Sequence, residues 1–219
     1  MKQLTLPFAD EPNYAAEDFC PAPSNAAARE FLLRPDQWSN GRLILWGEAG
    51  CGKTHLLHIW AQAQNAEIIN SASLRKLHRV TRPVAIDDAD LAPDPEALLH
   101  LLNSAAEAGV PVLLAARLPP ARMAYKLADL TSRLRAATAV EIRPPEDELL
   151  EQLLTRLAAS RQLALSIAVR NTFLLHLPRA PAYYREAVAR LDRAALDRGA
   201  RITRALALEI VTGLIQDEH

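Results

Sequence analysis

The chain has 219 residues, half of them hydrophobic and 23% charged, with a formal net charge of −1. That length can bury one or two cores, and that composition excludes an intrinsically disordered polymer. The near-neutral charge excludes a strong overall field that would draw the chain onto nucleic acid or an anionic membrane.

The first residues, broken by Pro7, Asp10, Glu11 and Pro12, do not form a signal peptide. No apolar run reaches the ~20 residues needed to span a bilayer. The two cysteines, Cys20 and Cys51, fall in a Pro-rich leader and a Gly-rich loop, so a structural disulfide is not expected. These features predict a reduced, cytoplasmic chain with no membrane partner.

Residues 1–24 hold Pro7, Pro12, Pro21 and Pro23 without sustained periodicity, which predicts an extended leader. Ser24 or Asn25 is expected to cap a helix over 26–32. The apolar run 42–46 reads as a buried strand feeding a Gly-rich loop and then a helix from Lys53 to about Gln64. Strand character recurs at 67–70, 83–86, 110–115 and 139–142, with a helix over 94–108 stopped by Gly109. Alternating strands and helices predict an α/β fold, a parallel sheet covered on both faces. After Pro145 the pattern becomes Leu- and Ala-rich at helical spacing, which predicts a small all-α unit. The expected organisation is a leader over 1–24, an αβα nucleotide-binding unit over 25–143 and a helical lid over 144–219.

Gly47-Glu48-Ala49-Gly50-Cys51-Gly52-Lys53-Thr54 fits G-x-x-x-x-G-K-[ST]. Small residues let backbone amides wrap a phosphate chain, and the helix that follows aims its positive end at it. Lys53 is placed to reach the terminal phosphates and Thr54 to ligate Mg²⁺. A phosphate loop of this kind also needs an acid at the end of another strand. Asp87 supplies it as the second metal-side residue, and Asp88 is the candidate for orienting an attacking water. His55 and His58 lie one turn apart without acid or Cys partners at ligand spacing, so they read as packing residues rather than metal ligands. A helix N-terminus beside Cys51 is expected to lower its pKa.

The order of phosphate loop, acidic strand, Ser132-Arg133 and helical lid resembles the AAA+ ATPases. More narrowly, it is similar to the branch of the bacterial initiator DnaA and its shorter relative Hda. Tyr14, Asp18-Phe19 and Asn25 resemble the segment that packs near the adenine in that branch. Gly47 to His58 resembles its phosphate loop, which adds His55 to the nucleotide side. Leu127-x-Asp129-Leu130-x-Ser132-Arg133-Leu134 resembles the segment carrying an arginine finger, which implies that Arg133 acts on a nucleotide held by a neighbouring subunit. Gln3-Leu4-Thr5-Leu6-Pro7-Phe8 resembles the peptide that docks on the DNA polymerase III sliding clamp, with Gln3 as amide donor and Leu4, Leu6, Pro7 and Phe8 as apolar contacts.

The resemblance implies ADP or ATP with Mg²⁺ as cofactors, and the clamp and DnaA as partners. The chain stops at His219, directly after the lid, so no DnaA-type helix-turn-helix and no direct sequence-specific DNA binding are expected. Arg193, Arg198, Arg201 and Arg204 of the lid are interleaved with Asp192 and Asp197, which reads as a solvated face.

The sequence departs from the branch where polar sensor residues stand. The 113–117 strand reads Leu-Leu-Ala-Ala-Arg, and the lid sensor arginine falls at Ala182, leaving Arg179 or Arg185 about one turn away. Arg179 is taken as the lid contact to nucleotide. These departures predict weak hydrolysis by the chain alone. The expected function is therefore an Hda-like regulator that stimulates hydrolysis of ATP on DnaA. The alternatives are an autonomous ATPase such as a helicase loader, or an adaptor that touches no hydrolysis. Self-association is compatible with each.

Overall fold

Short runs of branched apolar residues build a five-stranded, all-parallel sheet in a computed structural model that describes residues 14–74, 79–198 and 201–217. The strands are β1 (Arg42–Trp46), β2 (Glu67–Asn70), β3 (Val84–Asp87), β4 (Val112–Ala116) and β5 (Thr138–Glu141), in spatial order β2-β3-β4-β1-β5. β1 pairs with β4 from Arg42↔Val112 to Trp46↔Ala116, and with β5 from Leu43↔Thr138 to Trp46↔Glu141.

Successive side chains point to opposite faces of a strand, and here both sets are apolar. Ile44, Ile86, Val112 and Leu114 pack with Leu98, Leu101 and Leu102 of α3 (Pro95–Ala108) and with Leu130 and Leu134 of α4 (Ala128–Arg135). Leu43, Leu45, Ala85 and Leu113 face α1 (Ala26–Leu32) and Leu56, Leu57 and Trp60 of α2 (Lys53–Gln64). This is the predicted α/β arrangement.

Strand limits move by one or two residues for a chemical reason. Pro111 has no amide to give to the ladder, so β4 starts at Val112 and the Pro111 carbonyl accepts from Val84 N at 3.2 Å. α3 is capped by the Asp94 side chain, which accepts from Ala97 N at 3.0 Å, and ends on Gly109 at φ +65°.

The described part of the leader is not extended. Two 3-10 turns, Ala16–Asp18 and Pro23–Asn25, fold it back on the body, the second set up by the fixed φ of Pro23. Asn25 stands at the cap position of α1 but makes no side-chain cap bond. Its Nδ2 donates to Cys20 O at 3.0 Å and its Oδ1 accepts from Ala22 N at 3.1 Å, so the amide braces the leader instead.

Beyond Ile142 four helices follow: α5 (Asp147–Ser160), α6 (Ile167–His176), α7 (Pro181–Arg198) and α8 (Arg204–Gln216). They share a core of Leu150, Leu154, Phe173, Tyr184, Val188, Leu191 and Ile210 that includes no sheet residue. No helix among the described residues is long and apolar enough to cross a membrane.

Candidate functional site

The phosphate loop leaves the carboxyl end of β1 and closes onto the start of α2. Its backbone visits conformations that only glycine adopts without strain: Gly47 has φ +156°, Gly50 +77° and Gly52 +104°. The crowding is as decisive as the dihedrals. A Cβ on Gly47 would stand 2.4 Å from Ile142 O, and one on Gly50 would stand 3.2 Å from Ala180 Cβ. Gly47 N donates to Ala116 O at 3.3 Å, which hooks the loop to the end of β4.

Lys53 is buried at the first position of α2. Its Nζ donates to the carbonyls of Gly47 at 2.8 Å and Glu48 at 2.7 Å, which holds the ammonium at the loop mouth. Thr54 follows it, half-buried, while Glu48 and Ala49 form the exposed crown. The Cys51 thiol lies 3.7 Å from Lys53 Nζ. Its pKa is raised, not lowered: burial outweighs the opposing Lys53 charge.

Asp87 ends β3 and is near enough to α2 for its charge to act on the His58 imidazole. Asp88 follows at φ +51°, a left-handed position that Asp tolerates. Its N donates to Asp87 Oδ1 at 3.0 Å, and its carbonyl accepts from Ser71 Oγ and Leu91 N, each at 2.8 Å. The carbonyl is thereby fixed while both residues stay half-exposed at the carboxyl end of β3. Ala115 and Ala116 are fully buried at the end of β4, so no polar side chain arises at either position.

The two histidines of α2 hold the leader. The Tyr14 ring stacks on His58 at 4.1 Å and meets His55 edge-on at 5.6 Å, and Phe19 meets His55 at 5.2 Å. His55 Nε2 donates to Ala15 O at 2.9 Å. Among the described residues no group of three or more His, Cys, Asp or Glu side chains gathers into a metal cluster.

Burial holds both imidazoles below their ordinary pKa of 6.5. A folded-state pKa below the unfolded one means that the unfolded chain binds more protons. Their contribution to stability is therefore complete above pH 6.5 and is lost as pH falls from there toward the folded-state values. The thermal midpoint should fall between about pH 7.5 and about pH 5.5, and the His55→Gln/His58→Gln variant should show a flatter profile. Equal slopes in a melting series would remove the histidines as its source.

The C-terminal helical unit reaches the loop through the start of α7, where Ala180 and Ala182 lie against Gly50. Arg179 does not turn to the loop. It pairs with Asp147 Oδ1 at 2.6 Å and donates to Pro145 O at 3.1 Å, which braces α7 against the start of α5. Arg185, six residues on, packs within electrostatic reach of Tyr14, Cys20 and His55, and burial lowers its pKa. Periodicity gave no signal for that placement, nor for Arg156, which donates to the carbonyls of Glu17 and Phe19 and ties α5 to the leader.

Arg133 stands in the last turn of α4, its Nε 3.3 Å from Asp129 Oδ1. It lines a cavity with Arg42 and Pro111, at the amino ends of β1 and β4. The phosphate loop is at the opposite, carboxyl end of the sheet, one strand length or roughly 13 Å away at ~3.3 Å per residue.

No family model matches the chain. A chromosomal replication initiator protein DnaA from Thermomicrobium roseum is 28% identical over 70% of this chain and 40% of its own length. Domain III of the Thermotoga maritima replication initiation protein DnaA superposes with a TM-score of 0.79 at 20% identity, covering 92% of this chain and 97% of that one. The chain is similar in sequence to DnaA and shares the fold of DnaA domain III. The AMPPCP-bound DnaA from Aquifex aeolicus gives a TM-score of 0.69 at 16% identity, over 86% of this DnaA-like chain and 67% of that chain. The present chain spans only about 40% of the length of the Thermomicrobium DnaA. The clamp-like peptide, Gln3 to Phe8, lies outside the described residues.

Proposed function

We propose that this chain is an Hda-like regulator of replication initiation, which holds an adenine nucleotide itself and completes the ATP site of a DnaA protomer. The observation that carries the reading is the position of Arg133. It sits at the amino ends of the strands, across the sheet from its own phosphate loop, so the nucleotide within its reach is a neighbour's.

The glycine cradle, with Gly47, Gly50 and Gly52 all at positive φ and no room for a Cβ at Gly47, fits a phosphate chain. Loop amides and Lys53 would hold the phosphates of ADP or ATP, with Tyr14 and Phe19 on the leader side. Thr54 and Asp87 would hold Mg²⁺, which neutralises phosphate charge when bound. Asp88 would orient water, yet neither Ala116 nor Ala182 offers a polar group to finish that task. Weak self-hydrolysis follows, which argues against an autonomous ATPase. Residues 25–143 serve as the nucleotide-holding unit and 144–219 as its lid, and the Gln3–Phe8 peptide tethers both to the sliding clamp in the cytoplasm.

The test mixes the purified chain and DNA-loaded clamp with DnaA carrying labelled ATP. Conversion of bound ATP to ADP should accelerate, and Gln3→Ala/Leu6→Ala should abolish the acceleration. An unchanged conversion rate would sink the regulatory reading, and equal acceleration by the double variant would sink the clamp part.

A further inference from the structure

The cavity that Arg133 lines measures about 760 Å³ and is bounded by Asp36, Gly41, Arg42, Gly109, Ser132 and Arg133, a size suited to a small ligand. Arg42 is only 5% exposed, at the first position of β1. Its guanidinium makes no hydrogen bond and no ion pair with any described residue. A buried cation without a counter-charge is disfavoured, and Arg133 beside it adds a second. Burial first, and the Arg133 charge second, lower the Arg42 pKa. Arg133 Nε is buried and makes no hydrogen bond, and its one described counter-charge is Asp129 Oδ1 at 3.3 Å. The rim carboxylate, Asp36, is exposed and pairs with neither arginine.

Two planar guanidinium groups on one cavity, one unpaired and one held only by the exposed Asp129, match an oxyanion that takes bidentate bonds. A tetrahedral phosphoryl group can accept from both at once. We propose that this cavity is a second phosphate-binding site, separate from the phosphate loop, in which Arg42 and Arg133 hold one phosphoryl group. The group comes either free from solution or on the nucleotide of a docked partner; only the second source rests on the trans reading above.

Two measurements decide it. Calorimetric titration of the full chain with pyrophosphate uses Lys53→Ala to silence the phosphate loop. Saturable binding should persist in that variant and weaken by about 10- to 100-fold when Arg42→Leu is added, the loss expected for charge-assisted hydrogen bonds. In the second arm, Arg42→Leu alone should reduce stimulation of ATP loss from DnaA by at least about tenfold, its own nucleotide affinity unchanged. Binding in the first arm assigns the free source, and loss in the second assigns the partner-borne one. No effect of Arg42→Leu in either arm overturns the site. Removal of a buried unpaired charge should leave the melting temperature of Arg42→Leu equal or higher. Should that variant fold poorly, Arg42→Lys, which keeps the charge but loses the fork, reports on the same two arms.

Discussion

Arg133→Ala should reduce the chain's stimulation of ATP hydrolysis on DnaA by about 10³-fold or more, the range for an arginine finger delivered in trans. The size follows from what the side chain offers: a permanent charge on a planar fork at the end of a short helix, at the end of the sheet opposite its own phosphate loop. Its one described ion pair, with Asp129, is an i,i+4 contact on a largely exposed carboxylate. Such a contact contributes ~0.3–0.5 kcal/mol and is easily exchanged for a phosphate. Affinity for the chain's own nucleotide should not change, because that loop lies at the other end of the sheet. Arg133→Lys keeps charge without the fork and should remain strongly impaired. Single-turnover decay of ATP on DnaA gives the rate, and nucleotide titration of each variant gives the control. An unchanged decay rate would remove the trans role.

The core of the fold was legible because each part was written locally. The five apolar runs are short and branched, most of them separated by helices, and the Gly47–Thr54 pattern announces its own strand-loop-helix setting. What the sequence hid are contacts set by distance in space. Arg42 reads as the polar edge of a strand, yet the Pro111 turn and the end of α4 enclose it beside Arg133. Arg179 and Arg185 are indistinguishable by spacing, but Asp147 engages the first and leaves the second against Tyr14 and His55. Asn25 looked like a helix cap and became a leader brace, since Cys20 O and Ala22 N were in reach. The raised pKa of Cys51 likewise comes from burial by neighbours, which outweighs the helix terminus that sequence alone exposes.

Gly47→Ala should destabilise the chain by about 2–6 kcal/mol and weaken nucleotide binding more than about tenfold, combining backbone strain of ~1–3 kcal/mol with overpacking of ~1–3 kcal/mol. The added methyl would meet Ile142 O at 2.4 Å and Cys51 Sγ at 3.0 Å. Neither neighbour gives way easily. Ile142 is 1% exposed, and its N donates to Trp46 O at 2.8 Å, so relief requires pulling apart the end of the β1–β5 ladder. The loop would instead shift at Gly47 and take its amides out of register with a phosphate chain. Gly109→Ala is the matched control: it also has positive φ, +65°, but its Cβ would meet nothing within 4 Å. That variant should lose only the left-handed penalty of ~1–2 kcal/mol and bind nucleotide normally. Chemical denaturation and nucleotide titration of both variants separate strain from crowding. If Gly47→Ala is no less stable than Gly109→Ala, the close approach of Ile142 does not govern the loop.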